Sequence, residues 1–392
     1  MKQNYTMIKK ILPLVVFIAL VSISCNKDVP EPVANTFPKN TGNTIGAIIN
    51  NDADYSILKS ALTRAGLLSA LEDTSKLYTL FAPDNAAFIA SGISQEVANL
   101  LPLEQLTPAL LYHVVPQKVL SSQIPSTFPN LQYPSLLNPA PDISALLRLT
   151  TFPTTVNGAW INNIPIKAAN AEASNGVIHT VAGVVMPPSR YLWDRINTDP
   201  DLTYLKAAIQ RADSGVASNS LSNLEGLMKN IGANFTVFAP NNNALITLLT
   251  GAITQALMEQ GMEQQVAFGT AQVLASTPEV FQNPALFPVL TAQTVKGIVV
   301  YHVMTTRAFT NNLPTTATNF PTVLNGVIAN HPGLALQATF GVPFVSSATV
   351  KGAANATASN VLINMLPEPA GSSDQHYLNG VLHKIDQVLL PQ

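Results

Sequence analysis

The chain has 392 residues, a length that suits two ordinary domains better than one. Hydrophobic residues make up 47% of it and charged residues only 11%, against roughly 25% in a typical soluble domain, so Asn, Thr, Ser, Gln and Gly must carry much of the surface. A formal net charge of −2 with no Lys/Arg cluster beyond the N-terminus argues against a nucleic-acid partner, and the lone Cys25 rules out an intrachain disulfide, a Cys-based zinc site or a CxxC redox pair.

In chain order, Lys2, Lys9 and Lys10 form a positive start, and Ile11 to Ile23 is almost wholly apolar. That run is shorter than the roughly 20 residues a membrane span needs, so it reads as a signal peptide over 1–24. Ser24-Cys25 resembles the end of a bacterial lipobox, although Ser22 stands where that motif prefers Leu. The resemblance implies lipid attachment at Cys25; the alternative is an ordinary signal peptide with an incidental Cys. Residues 25–41 are polar, contain Pro and lack apolar periodicity, as expected of a tether. Lys27-Asp28 resembles the charged export signal of surface-exposed lipoproteins. The expected location is therefore outside the cell, anchored to the outer membrane and surface-exposed.

The remainder repeats itself. Asp54–Ala65 matches Asp201–Ala212 at an offset of 147, with six of twelve positions identical. Tyr78-Thr-Leu-Phe-Ala-Pro-Asp-Asn85 matches Phe235-Thr-Val-Phe-Ala-Pro-Asn-Asn242 at 157, and Leu111-Tyr-His-Val114 matches Val300-Tyr-His-Val303 at 189. Asn175-Gly-Val-Ile-His179 then matches Asn379-Gly-Val-Leu-His383 at 204. Block order is kept while the offset grows, so the second copy is the same unit with insertions, the largest around 249–293. Two copies at this spacing exclude a solenoid.

Within the unit, Leu58, Ala61, Leu62, Ala65 and Leu68 recur at helical spacing, which predicts an amphipathic helix over Asp54–Leu71. Tyr78–Ala82 reads as a short strand stopped by Pro83, with Asp84 capping a helix through Phe88. Ala109–Val115 and Val299–Met304 read as buried apolar segments. Val177–Val185 and Val381–Leu389 read as closing strands entered through Asn-Gly turns. Helices early and strands late predict an α+β domain. The insertion has helical spacing and then a Pro-punctuated loop, and 365–378 reads as a polar surface loop.

These blocks resemble the first box, the central Tyr-His pair and the second box of fasciclin (FAS1) domains, over about 42–188 and 195–391. The resemblance implies two tandem fasciclin-like domains, at 42–188 and 189–391, each a β-sheet wedge or sandwich with packed α-helices. It also implies a non-catalytic role in adhesion, between cells or between cell and matrix or surface. Partners would be a protein or polysaccharide at the cell surface, or a second copy of the chain, with the membrane reached through Cys25. In the family the Tyr-His pair is associated with adhesion, which makes Tyr112, His113, Tyr301 and His302 candidate binding residues. The other reading of these four is structural, a hydrogen-bonded lock in the core. Integrin-binding members carry Asp-Ile just ahead of the second box; here Asn170-Ala171 and Asp374-Gln375 occupy that place, so integrin-type recognition is not expected.

No nucleophile elbow, HExxH or P-loop glycine pattern is present, and the calcium-loop start at Asp52 lacks its Gly, so no catalytic residue, metal or cofactor is expected. The charged positions shared by both copies, Asp54/Asp201, Lys59/Lys206 and Arg64/Arg211, read as a solvated helix face. A glycan-capturing accessory lipoprotein of a polysaccharide uptake system is the alternative function, and an exposed aromatic such as Trp160 would serve it. Trp193, in the inter-domain segment, is expected to wedge the two domains together.

Overall fold

A computed structural model describes residues 42–341 and 344–392. The expected signal segment 1–24, Cys25 and the tether over 25–41 lie outside the described residues.

The first unit opens with helices α1 (Ile45–Asn51) and α2 (Ser56–Arg64) and adds α3 (Asn85–Ala90), α4 (Gln95–Leu100) and α5 (Leu103–Tyr112). Its strands are β1 (Tyr78–Pro83), β2 (Val114–Val115), β3 (Tyr133–Pro134), β4 (Thr150–Thr151), β5 (Pro153–Thr154), β6 (Trp160–Ile161), β7 (Ile164–Ala173) and β8 (Gly176–Val181). The helix expected over Asp54–Leu71 is shorter. It stops at Arg64 because Gly66 takes φ +67°, and the Leu67 N–H bonds back to the Leu62 carbonyl, as in a Schellman stop. Leu58, Ala61 and Leu62 still face the core as the spacing requires.

The sheet runs β2-β1-β8-β7-β6-β5. At its centre β1 and β8 are parallel, with Phe81 opposite His179, so the two motif boxes, far apart in sequence, lie side by side. Gly176 makes that possible: a Cβ there would sit 1.9 Å from the Tyr78 carbonyl oxygen.

The second unit repeats this plan with α6 (Leu192–Thr198), α7 (Thr203–Ala212), α8 (Leu224–Met228), α9 (Asn242–Glu259), α10 (Gln264–Leu274) and α11 (Ala292–Tyr301). Its strands are β9 (Phe235–Pro240), β10 (Val303–Met304), β11 (Thr318–Phe320), β12 (Leu334–Phe340), β13 (Val345–Lys351), β14 (Ser359–Asn360), β15 (Gln375–Tyr377) and β16 (Gly380–Ile385). One sheet is β10-β9-β16-β15, again with a parallel centre that sets Phe238 opposite His383; the other is β11-β12-β13-β14. The architecture is α+β, with two units in tandem. The insertion is a helical hairpin: where α3 has two turns, α9 runs for 18 residues and α10 folds back on it.

Several expectations are corrected. The segment 365–378 is a surface loop only in its first half, where Leu366, Pro367, Pro369 and Ala370 are exposed; Ser373, Asp374, Gln375 and Tyr377 are buried and enter β15. His376 from this segment meets Phe152 of the first unit edge-on, and Arg307 lies over the Phe152 ring at 4.7 Å. Trp160 is buried against the second unit's Phe344, beside Asn157, whose amide donates to the Asn311 and Leu313 carbonyls. The wedge role expected of Trp193 thus falls to Trp160, whereas Trp193 packs inside the second unit's own core. The Arg64/Arg211 pair is not merely solvated. Arg64 donates to the Ala98 and Leu101 carbonyls, and Arg211 donates to the Leu290 carbonyl and covers the Phe287 ring. Each arginine thereby satisfies carbonyls on the segment leading to the next helix, a job its long stem and fork allow.

Candidate functional site

The residues shared by the two copies converge on the paired boxes, and their chemistry can be followed atom by atom. Tyr112 and His113 end α5, and Tyr301 and His302 end α11. All four side chains are buried. The Val185 N–H donates to His113 Nε2 at 2.9 Å, so the ring proton sits on Nδ1 and is donated to the Ala109 carbonyl at 2.7 Å. His302 repeats this, accepting from the Leu389 N–H at 2.9 Å and donating to the Ile298 carbonyl at 2.8 Å. Each imidazole therefore staples a helix C-terminus to the chain that leaves the closing strand. Burial favours the neutral ring and holds both histidines down at about 4. Tyr112 donates to the Thr150 carbonyl, and burial pushes its phenol up to about 12; Tyr301 donates to the Gly333 carbonyl. The four candidate binding residues thus present no free polar atom at the surface, and the structural reading is the one their geometry supports.

The second box works in the same way. Asn175 accepts the Ile45 N–H and donates to the Leu71 and Asp73 carbonyls; Asn379 accepts the Leu192 N–H and donates to the Met228 carbonyl. Each Asn ties the first helix of its unit to the sheet. His179 stacks on Phe81 and uses the opposite tautomer from His113: its Nδ1 accepts the Asn170 N–H, and its Nε2–H donates to the Val119 carbonyl. His383 does the same with Phe238, the Asp374 N–H and the Ala308 carbonyl.

Asn170 and Asp374 both have positive φ, 63° and 54°. Their side chains cap matching turns, Asn170 on the backbone and hydroxyl of Ser121 and Asp374 on those of Thr310. The sequence already places these two residues at the same position ahead of the second box; their shared capping role follows because Asn and Asp serve the same local purpose there. Asp84 and Asn241 show the same tolerance as helix N-caps, accepting the Ala87 and Ala244 N–H groups.

The repeated polar residues of the two boxes and the Tyr-His pairs therefore build the scaffold, and the places where the copies differ are the candidates for a recognition surface. Two such places stand out. The first is a cleft of about 260 Å³ at the junction of the units, with Asn162 and Met186 on one side and Leu366, Glu368 and His376 on the other. Next to it Arg307 is buried and, among the described residues, has no carboxylate partner; it donates to Asn234 Oδ1, to His376 Nε2 and to the Tyr377 and Leu378 carbonyls. Burial, helped by the Arg307 charge, holds His376 neutral, well below the usual histidine range. Sequence reading missed Arg307, whose partners lie about 70 residues away. The second place is the α9–α10 hairpin. Its only charged residues between 242 and 277 are Glu259 and Glu263. Val266, Phe268 and Val273 of α10 are 54%, 48% and 73% exposed, while Ala267 and Ala271 form the buried face. Among the described residues, no group of three or more His, Cys, Asp or Glu could hold a metal ion.

Comparison with known proteins matches the fasciclin domain over residues 53–187 and 216–391. "Protein sll1483" of Synechocystis sp. is 32% identical over 147 residues, which is 37% of this chain and 74% of that protein. Transforming growth factor-beta-induced protein ig-h3 of Sus scrofa is 30% identical over 146 residues, 37% of this chain and 20% of that protein. Among solved structures, the FAS1 domain pair from the insect cell adhesion molecule Fasciclin I aligns with 88% of this chain and 94% of its own, at 15% identity and a TM-score of 0.29. With two matched segments that together cover most of its length and coincide with its own internal repeat, the chain belongs to the fasciclin-domain family.

Proposed function

We propose that this chain is a non-catalytic cell-surface adhesion protein whose contact surface is the α9–α10 hairpin. The observation that carries the reading is the exposed, uncharged surface of α10, where Val266 and Val273 share one face and Phe268 stands on the other side of the buried Ala267 and Ala271, on an arm that the first unit lacks. Membership of the fasciclin family fits a general adhesion or binding role. In this reading acyl groups on Cys25 anchor the chain to the outer membrane, and residues 25–41 hold the folded part away from it. Weak contacts are then multiplied by the many copies on one membrane. A glycan-capture role would call for an aromatic stacking platform, and both tryptophans are buried.

The test is clustering of beads coated with residues 26–392, alone and over immobilised polysaccharides, compared with the Val266→Glu/Phe268→Glu/Val273→Glu variant. These three side chains are exposed, so the variant keeps the core intact. Clustering of the wild type and dispersal of the variant support the reading. Beads that stay dispersed but bind a polysaccharide would replace it with glycan capture, and equal clustering by both proteins would remove the hairpin as the contact surface.

A further inference from the structure

The core of the second unit contains an apolar pocket of about 120 Å³ between α7, α9 and α11, floored by Leu205, Ala208, Leu245, Leu249 and Val295. Protein interiors are close-packed, and voids of this size are few in any domain. The internal repeat explains its origin. Leu205 and Ala208 correspond to Leu58 and Ala61, Pro240 to Pro83, and Val295 and Val299 to Leu106 and Leu110. Leu245 corresponds to Phe88, which is buried in the first unit's core. A phenyl ring in one copy is thus an isobutyl group in the other, and the extended α9 encloses the space with Leu248, Leu249 and Ala252.

The lining offers almost no hydrogen-bonding capacity. Both nitrogens of His302 are committed, to the Ile298 carbonyl and the Leu389 N–H, and the Thr294 hydroxyl pairs with Thr291. A buried water usually makes about three hydrogen bonds, which this pocket cannot provide. An engineered apolar cavity of about 150 Å³ in another protein stays dry and takes up benzene. The pocket also has a way in, since Leu248, Ala252, Val289 and Ile298 are only partly buried and Thr294 is exposed.

We propose that this pocket is a binding site for a small uncharged hydrocarbon group, either a single aromatic ring or the end of an alkyl chain, entering between α9 and α11. The site belongs to the second unit alone and is independent of the exposed α10 face. Binding is driven by removal of apolar surface from water, and selectivity comes from exclusion: any polar atom on the bound group would lose its water without gaining a partner.

The experiment titrates the purified full chain with benzene and, separately, with 1-octanol, followed by calorimetry and by the methyl NMR signals of Leu245 and Val295. Saturable one-to-one uptake is expected, and the two probes distinguish a ring from a chain end. Leu245→Phe, which installs the first unit's residue, is expected to weaken uptake at least tenfold. Ala252→Phe, which closes the entrance from its partly exposed side, is expected to do the same. Absence of saturable uptake of either probe by the wild type overturns the proposal, as does undiminished uptake by both pocket variants. Bead clustering is unaffected by Leu245→Phe if the two sites are independent, so failure of this site and failure of the adhesion reading give different results.

Discussion

Acidification acts on the fold through the two histidine staples. His113 and His302 are neutral in the folded chain, and each is held at about 4 by burial, against 6.5 when unfolded. The unfolded chain therefore binds more protons between these two values. Stability contributed by the neutral rings is fully present above about pH 6.5, declines as pH falls and is gone below about pH 4. A depression of this size corresponds to about 3 kcal/mol per histidine, accumulating at up to about 1.4 kcal/mol per pH unit. Each unit carries one staple, and a typical domain has only about 5–15 kcal/mol in total, so the loss is large for both. His113→Gln and His302→Gln keep a donor and an acceptor at each site but cannot ionise. At pH 7 they are expected to cost about 1 kcal/mol each in hydrogen-bond geometry. Between pH 6.5 and 4, the double variant should lose stability less steeply than the wild type, by up to about 2.7 kcal/mol per pH unit where both rings titrate. Urea unfolding followed by circular dichroism at half-unit pH steps measures this directly. Carboxylate titration is common to both proteins and cancels in the difference. Parallel pH profiles for wild type and double variant would refute the staple assignment.

Two further outcomes follow from backbone geometry and from the unit junction. Gly176→Ala drives a Cβ into the Tyr78 carbonyl and should cost more than about 3 kcal/mol in urea unfolding, whereas Gly66→Ala, with φ +67° and open space around it, should cost only about 1–2 kcal/mol. Arg307→Met removes a donor from the Tyr377 and Leu378 carbonyls and the cation over the Phe152 ring; it should destabilise the chain by about 3 kcal/mol in urea unfolding, while an unshifted transition would show these contacts to be energetically idle.

The fold was legible because the chain contains its own comparison. Residues identical at matching offsets, such as Asn175/Asn379 and His179/His383, are those that tie the first helix and the neighbouring turns of each unit to its closing strand. Capping by Asp84 and the core face of α2 could be read from spacing alone, because those interactions close within four residues. What could not be read depends on distant partners. Trp160 follows an Asn-Gly hairpin, and nothing near it in sequence shows that Phe344 of the second unit lies against its ring. In segment 365–378, Asp374 and His376 are satisfied by the distant Thr310 and Arg307, and no local pattern reveals that. The helix break at Gly66 was visible in principle, since a glycine after Arg64-Ala65 is an ordinary helix stop, but the apolar spacing through Leu68 outweighed it. The hydrocarbon pocket depends on one Phe-to-Leu difference inside a matched block, where the eye is drawn to identities.

The parallel pairing of β9 with β16 has a consequence for how the chain is made. Phe235 lies opposite Gly380, so 145 residues separate two strands that are neighbours at the sheet centre. Local helices can form as they emerge, but the sheet cannot close until the strand beginning at Gly380 is available. Contacts this far apart in sequence slow folding, because loop closure must precede the stabilisation it brings. Strands β11–β14, all within 318–360, can pair before then, but the sheet that carries both boxes of the second unit waits for Asn379-Gly-Val-Leu-His383.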